Sequence, residues 1–259
     1  MTAHRCDLLD AGACTALLRR VRPTHLLHLA WTTAPGTYWE SPDNLRWTGA
    51  SLQLLQEFAQ CGGQRAVIAG SCAEYDWEYA VAVEGETPLN PSSLYGISKN
   101  AVRVVAEKFA DNASISLGWG RLYFPYGPHE ARARLVPSVI RAMLAGEPAL
   151  CTHGRQVRDF IYVDDAAAAF AALLDSSVQG AVNIATGRAR PLQDLIMFIG
   201  RELERPELIE LGAVAAPARD VEYLAADVTR LNNEVGFTPE VDLETGLRKS
   251  IAWWRRELG

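Results

Sequence analysis

The octapeptide Ser92-Ser93-Leu94-Tyr95-Gly96-Ile97-Ser98-Lys99 stands where a polar turn gives way to a helical run. Residues four apart are neighbours on one face of a helix, so this pattern places the ammonium of Lys99 beside the phenol of Tyr95. A nearby cation favours phenolate over phenol, which predicts a pKa for Tyr95 below the ordinary value near ~10. Tyr95 would then exchange protons at neutral pH. The alternative, for this motif alone, is a surface pair on an ordinary helix.

On either side of the octapeptide, short apolar runs alternate with longer helical patterns. Strands are predicted at 24–30, 65–70, 115–122 and 181–184, and helices at 43–60, 95–110, 135–144, 164–174, 191–203 and 243–258. Short strands that alternate with helices require crossover connections, which predicts an α/β protein with a parallel sheet. Asp164 is expected to cap the helix that begins there by accepting backbone N–H groups.

The composition limits the possible classes of function. A chain of 259 residues, 49% of them hydrophobic, can bury a substantial core. A net charge of −6 lacks the basic excess with which nucleic-acid binders neutralise phosphates. No apolar run approaches the ~20 residues of a membrane span, and no signal-peptide core follows the first residues, so a cytoplasmic location is expected. The scattered five cysteines and five histidines predict no metal site.

Two hydroxyl side chains are predicted to meet at one edge of the sheet. In open parallel sheets, ligands bind outside the carboxyl ends of the strands. Ser71 follows the strand at 65–70, and Tyr95 opens the next helix on the same side. Together they could hold one substrate oxygen, an arrangement suited to hydride transfer between an alcohol or ketone and a nicotinamide.

Four motifs carry a family resemblance: Ser71, Tyr95-x-x-x-Lys99, Arg121-Leu-Tyr-Phe-Pro-Tyr-Gly-Pro128 and Gly154-Arg-Gln-Val-Arg-Asp-Phe-Ile-Tyr-Val-Asp-Asp165. In this order and spacing the sequence resembles the extended short-chain dehydrogenases/reductases of the nucleotide-sugar epimerase/dehydratase family, over essentially its whole length. The resemblance implies a Rossmann-like parallel sheet in a partial dinucleotide-binding domain, residues 1–125. Residues 126–259 would form mainly a smaller α/β substrate-binding lobe, with some segments returning to the sheet.

The resemblance also implies roles for individual residues. Tyr95 would be the general acid/base, Lys99 would bind the nicotinamide ribose and tune Tyr95, and Ser71 would hydrogen-bond the reacting oxygen. An alternative alignment places Cys72 at the position of Ser71, but a thiol is a poor donor; Cys72 then lines the substrate site or is a buried structural residue. The cofactor would be NAD or NADP, and the residues implied for it are Tyr95, Lys99, Asp7, Leu8, Ala30 and Tyr123. Asp7 has an equal alternative as a turn residue.

Three positions concern the nucleotide diphosphate of the substrate. Arg158 corresponds to an arginine that binds it, for which a bidentate guanidinium is suited; the alternative is a salt bridge with Asp159 or Asp164. Arg219 is a second candidate. Phe124 replaces an asparagine that helps to hold the diphosphate in many relatives.

The sequence departs from the family pattern at two places. It has no Gly-rich, phosphate-binding turn between its first strand and first helix. The nearest match, Gly118-Trp-Gly120, lies far along the chain. About 60 residues of the family's N-terminal part are therefore expected to be missing, estimated from two βα units and a strand, which would leave the strand at 24–30 as an exposed edge. Dehydratases carry an Asp-Glu pair where this chain has Cys72 and Ala73, so epimerisation or ketoreduction is favoured over dehydration.

The sequence thus predicts an NAD(P)-dependent epimerase or ketoreductase that acts on a nucleotide-activated sugar. The alternative is a non-catalytic or cofactor-deficient relative that binds a sugar nucleotide or a protein partner. The resemblance further implies a homodimer through residues 43–60 and 95–110.

Overall fold

A computed structural model describes residues 2–216 and 220–259. Within these ranges the helices are α1 (Ala11–Val21), α2 (Asp43–Gln60), α3 (Leu94–Ala113), α4 (Leu135–Leu144), α5 (Val163–Asp175), α6 (Leu192–Glu202) and α7 (Leu243–Leu258). The strands are β1 (His25–His28), β2 (Arg65–Ser71), β3 (Val81–Ala82), β4 (Ser116–Leu122), β5 (Phe124–Tyr126), β6 (Ala149–Cys151), β7 (Val157–Arg158), β8 (Phe160–Tyr162), β9 (Gly180–Ile184), β10 (Arg190–Pro191), β11 (Ile209–Leu211) and β12 (Tyr223–Ala226).

The main sheet is parallel and has the strand order β1-β2-β4-β9. Every residue of β2 is buried, because helices cover both faces of the sheet. Ile68 packs on the face covered by α2 and α3, whereas Val67, the preceding residue, packs with α5 on the other face. This confirms the predicted α/β architecture with a parallel, Rossmann-like sheet.

Gly118 and Gly120 lie inside β4, not in a turn. A Cβ on Gly120 would lie 2.3 Å from the ring of Phe170, so the missing side chain allows α5 to approach the sheet closely. Gly120 therefore serves helix packing, and the resemblance of Gly118-Trp-Gly120 to a phosphate-binding turn is coincidental.

Shorter elements beyond β4 form a second packing unit. Its core joins α4, α6 and α7, with Ile140, Leu195 and Leu247 fully buried. A small mixed sheet of order β10-β7-β12-β3 connects this part of the chain to the segment after β2. In turn, α5 and β9 return to the main sheet, which puts residues of both regions near its carboxyl edge.

The capping role predicted for Asp164 is wrong. Helix α5 begins at Val163, one residue earlier than predicted, with Tyr162 as its N-cap and no capping side chain. The reason is that β8 runs directly into the helix without an intervening turn. Asp164 lies instead within the first helical turn, where a negative charge still interacts favourably with the helix dipole.

Among the described residues, no helix is long and apolar enough to cross a membrane. The same part of the chain holds no group of three or more His, Cys, Asp or Glu side chains arranged to bind a metal ion.

Candidate active site

Ser71 ends β2 and is fixed by a buried carboxylate. The Ser71 N–H donates to Glu74 Oε1 at 2.7 Å, and Ala73 N–H donates to Ser71 Oγ at 3.2 Å, forming a capping box around a short turn. Glu74 is fully buried and also accepts from Trp119 Nε1 and Arg121 Nε, both at 2.9 Å. Glu74 is absent from the predicted site residues, although the Ser-x-x-Glu spacing of Ser71 and Glu74 is a local signal for this capping box.

Tyr95 enters the site from the first turn of α3. That helix starts at Leu94, one residue before the predicted start, because Ser93 caps it: its Oγ accepts from Gly96 N–H at 3.1 Å. Tyr95 is 7% exposed, and the side chain of Ser71 lies beside its phenol. Burial raises the pKa of Tyr95 well above its ordinary value, and the Ser71 hydroxyl opposes this only in part. The predicted lowering of this pKa is therefore wrong for the protein as described.

Lys99 lies one turn after Tyr95 but directs its ammonium elsewhere. Its Nζ donates to Ala69 O at 2.8 Å and lies 3.9 Å from the ring centroid of Trp31, compared with 5.9 Å from that of Tyr95. Burial lowers the pKa of Lys99 to about 7, although the charge of Glu74 opposes the shift. Near neutral pH this buried amine is thus close to its own titration midpoint.

Aromatic side chains that the sequence analysis overlooked surround Tyr95. The ring of Tyr38 lies 4.9 Å from that of Tyr95 and the ring of Trp39 lies 5.7 Å away, both nearly perpendicular to it. Trp31 makes a third edge contact at 6.3 Å. The available signal was the density of aromatic residues in the loop that follows β1.

Two of the residues suggested for the cofactor lie together. Leu8 and Ala30 line one cavity of about 400 Å³ beside β1 and α1, whose walls are mostly leucine side chains. Asp7 is exposed, and its carboxylate accepts from Leu9 N–H at 2.9 Å, a turn-type hydrogen bond.

Tyr123, also suggested for the cofactor, directs its side chain into the protein. It packs in a cluster with Cys72 and Leu224. Its hydroxyl is buried and has no hydrogen-bond partner among the described residues, and burial raises its pKa strongly. In this position its backbone, rather than its phenol, is adjacent to the end of β4.

Arg158 and Phe124 are brought together by the pairing of β5 with β8. The Arg158 guanidinium lies 5.7 Å from the Phe124 ring centroid. It forms a salt bridge with Asp220 and donates to Val221 O at 2.6 Å. The alternative pairing with Asp159 or Asp164 is wrong.

Asp159 has its own set of partners. It accepts from the backbone N–H and the hydroxyl of Thr186 and from Gly187 N–H, so its carboxylate is not available to Arg158. Arg219 lies outside the described residues.

Cys72 is buried next to Ser71. Burial raises the pKa of its thiol to about 12, while the charge of Arg158 acts in the opposite direction, so the thiol is protonated and lies within electrostatic reach of the guanidinium. A cavity of about 610 Å³, lined by Phe198 and Arg248 among others, lies between α6 and α7 and involves none of these residues.

Comparisons with known proteins agree with the parallel, Rossmann-like fold. A family model described as the NAD dependent epimerase/dehydratase family matches residues 1–185. UDP-glucuronate 4-epimerase 4 of Arabidopsis thaliana is 24% identical over 273 residues, covering 96% of this chain and 62% of that protein. CDP-abequose synthase of Salmonella muenchen is 30% identical over 154 residues, covering 58% of this chain and 51% of that protein. The chain thus spans less than two thirds of either relative.

A solved structure, MoeE5 in complex with UDP-glucuronic acid and NAD, has a TM-score of 0.85 with this chain at 29% identity. The match covers 98% of this chain and 86% of that one.

Proposed function

This chain belongs to the NAD-dependent epimerase/dehydratase family, and from that premise we propose that it oxidises or reduces a nucleotide-activated sugar by hydride transfer with NAD or NADP. The observation that carries the proposal is the pairing of Ser71 with Tyr95. These hydroxyl side chains come from different elements and meet at the carboxyl end of β2, where open α/β sheets bind their ligands.

Tyr95 is the proposed acid/base. Because burial raises its pKa, the phenol is protonated at neutral pH and can donate to the substrate oxygen. To act as the base, Tyr95 must first lose its own proton, which requires a lower pKa. The Lys99 ammonium would lower the pKa of Tyr95 by approaching the phenol. Ser71 Oγ would hydrogen-bond the same substrate oxygen and so hold it against Tyr95.

The chain offers two features that fit a dinucleotide. The cavity lined by Leu8 and Ala30 has apolar walls suited to a flat heteroaromatic ring. Lys99 has three N–H groups, and while one donates to Ala69 O, another could donate to a ribose hydroxyl. When bound, the nicotinamide would supply the acceptor or donor of the hydride. The residues proposed to contact the cofactor are Tyr95, Lys99, Asp7, Leu8, Ala30 and Tyr123.

The substrate diphosphate is proposed to bind at Arg158, with Arg219 as a second cation and Phe124 and Cys72 as neighbouring walls. Arg158 is paired with Asp220, so a diphosphate would have to replace that carboxylate at the guanidinium. Cys72 and Ala73 offer neither an acid nor a base, which supports epimerisation or ketoreduction rather than the elimination of water. Residues 1–125 would thus carry the cofactor and the reacting groups, and 126–259 mainly the substrate lobe.

A homodimer through α2 and α3 is part of the proposal. Leu45 is 63% exposed on α2, and Ile97, Val104 and Val105 are each about half exposed on α3. An open groove lined by Leu52, Val105 and Phe109 among others runs between the two helices. Exposed apolar side chains on two adjacent helices favour an interaction surface there.

The first test is a titration of the purified chain with NADH and NADPH, followed by nicotinamide fluorescence, and then turnover with a panel of nucleotide sugars. Tyr95→Phe should reduce turnover by about 10²-fold or more with the fold intact, whereas Tyr79→Phe, at an exposed tyrosine, should not. Unchanged turnover in Tyr95→Phe would contradict the proposed role. Failure of the folded protein to bind either cofactor would favour the non-catalytic alternative.

A further inference from the structure

Two cysteine side chains are in contact at the start of α1. Cys6 precedes this helix and Cys14 lies near its beginning, and their Sγ atoms are 3.7 Å apart. Both cysteines are thiols in this structure. The sulfurs of a disulfide are about 2 Å apart, so forming one here requires an approach of about 1.7 Å. A change of side-chain rotamer at Cys6, which is outside the helix, can supply a movement of that size.

The turn between the two cysteines holds their sulfurs on the same side. Both Sγ atoms lie near the backbone oxygen of Asp7, that of Cys6 at 3.7 Å and that of Cys14 at 3.5 Å. The same oxygen accepts from Asp10 N–H at 3.0 Å, and Asp10 in turn caps α1 by accepting from Ala13 N–H at 3.0 Å. The intervening chain is thus already folded into the short loop that a disulfide would close.

The two thiols differ in access to solvent. Cys14 is 5% exposed, and burial raises the pKa of its thiol to about 11. Cys6 is only partly buried. A thiolate, rather than a thiol, attacks a disulfide, and the attack requires access to the reagent. A reagent from solvent therefore meets Cys6 first, and Cys14 lies behind it in contact distance.

We propose that Cys6 and Cys14 are a redox modification site, which exchange with a low-molecular-weight disulfide, such as oxidised glutathione, converts reversibly into an intramolecular disulfide. Cys6 gives its proton to water and attacks one sulfur of oxidised glutathione, whose S–S bond breaks as the first glutathione leaves. Cys14 then gives its proton to water and attacks the Cys6 sulfur, and the second glutathione leaves. The two protein thiols lose two electrons, which reduce one glutathione disulfide to two thiols.

The location of the pair gives this modification a consequence for its surroundings. Cys14 lines the leucine-walled cavity beside β1, together with Leu8 and Ala30. Leu8 also lies within the loop that the disulfide would close. Oxidation would therefore restrain one wall of the cavity that is proposed to receive the dinucleotide. The thiol chemistry itself does not rest on the proposed function.

The test is a redox titration of the full chain in mixtures of reduced and oxidised glutathione, stopped with acid and analysed by mass spectrometry. The oxidised chain should be lighter by two hydrogen atoms, carry no glutathione and contain a Cys6–Cys14 cross-link. After unfolding it should be alkylated only at Cys61, Cys72 and Cys151, and dithiothreitol should restore alkylation at every cysteine. Half of the chain should be oxidised where the square of the reduced concentration divided by the oxidised concentration is about 1 mM or more.

Three outcomes would overturn the proposal. One is the absence of the cross-link in oxidised glutathione alone, and another is half-oxidation far below about 1 mM, which would mean that the sulfurs are not held together. The third is glutathione that stays on Cys6 of the wild-type chain without closing onto Cys14.

Single variants test the order of the two steps. Cys14→Ala, which places no polar group in the buried position, should retain one glutathione on Cys6. Cys6→Ala should remain unmodified, because the buried Cys14 has no exposed partner to react first. Cys151→Ala is the matched control, since Cys151 is also buried, and it should form the cross-link as the wild type does. A cross-link to Cys61, or between two copies of the chain, in place of the Cys6–Cys14 bond would contradict the assignment.

Discussion

Replacing Lys99 by methionine removes a buried ammonium and leaves an apolar chain of similar length. Lys99 is 3% exposed, and burial lowers its pKa from 10.5 to about 7. In the unfolded chain this amine has its ordinary pKa near ~10.4. Between these two values the unfolded chain binds a proton that the folded protein does not, so the free energy of unfolding rises with pH across that window. Below about pH 7 both states are protonated and this contribution is flat.

The magnitude follows from the size of the shift. Each pH unit within the window adds at most ~1.4 kcal/mol to the free energy of unfolding. The interval from about 7 to 10.5 thus bounds the total change at about 5 kcal/mol. Lys99→Met has no titrating amine at this position, so it should lack this slope and be the more stable protein at neutral pH.

Urea unfolding of both proteins at several values between about pH 7.5 and about pH 9.5 measures the difference in slope. The free energy of unfolding of the wild type should gain about 1 kcal/mol per pH unit relative to Lys99→Met. Lys108→Met, at an exposed lysine of the same helix, should run parallel to the wild type. His28 does not interfere, because burial lowers its pKa to about 4, outside this range. Parallel curves for the wild type and Lys99→Met would refute the buried-amine reasoning.

Three further changes test other parts of the structure. Glu74→Gln should destabilise the fold by about 3 kcal/mol or more in urea unfolding, because it leaves Arg121 buried without its carboxylate; a loss below about 1 kcal/mol would contradict that pairing. Gly96→Ala should cost about 1–3 kcal/mol, since the new Cβ would lie 2.3 Å from the backbone oxygen of Ala73, and an unchanged melting temperature would argue against this close approach. Val105→Glu places a charge on the exposed face of α3 and should convert a dimer into a monomer in light scattering, whereas a wild type that is already monomeric would dismiss the proposed interface.

Local sequence patterns were sufficient to predict helices and strands of this chain. The helix predicted over 135–144 and the one over 243–258 have the bounds found in the structure, because an apolar stripe at helical spacing and a polar boundary are both local signals. The parallel direction of the strands in the main sheet followed from the alternation of strands and helices, since parallel neighbours require crossovers. Ser71 and Tyr95 could be placed on one edge for the same reason.

The protonation states of the titratable site residues, and the groups that they pair with, depended on contacts between residues distant in the sequence. The sequence places Lys99 near Tyr95, but Trp31 and Ala69, from two other elements, determine where the ammonium points. Arg158 pairs with Asp220, 62 residues away in the chain, and no local spacing indicates that pairing. The pKa of Tyr95 is raised and not lowered, because burial is set by all the elements that pack around a side chain. Periodicity is a property of neighbours along the chain and so fixes the elements, whereas desolvation and charge pairing arise only when those elements pack together.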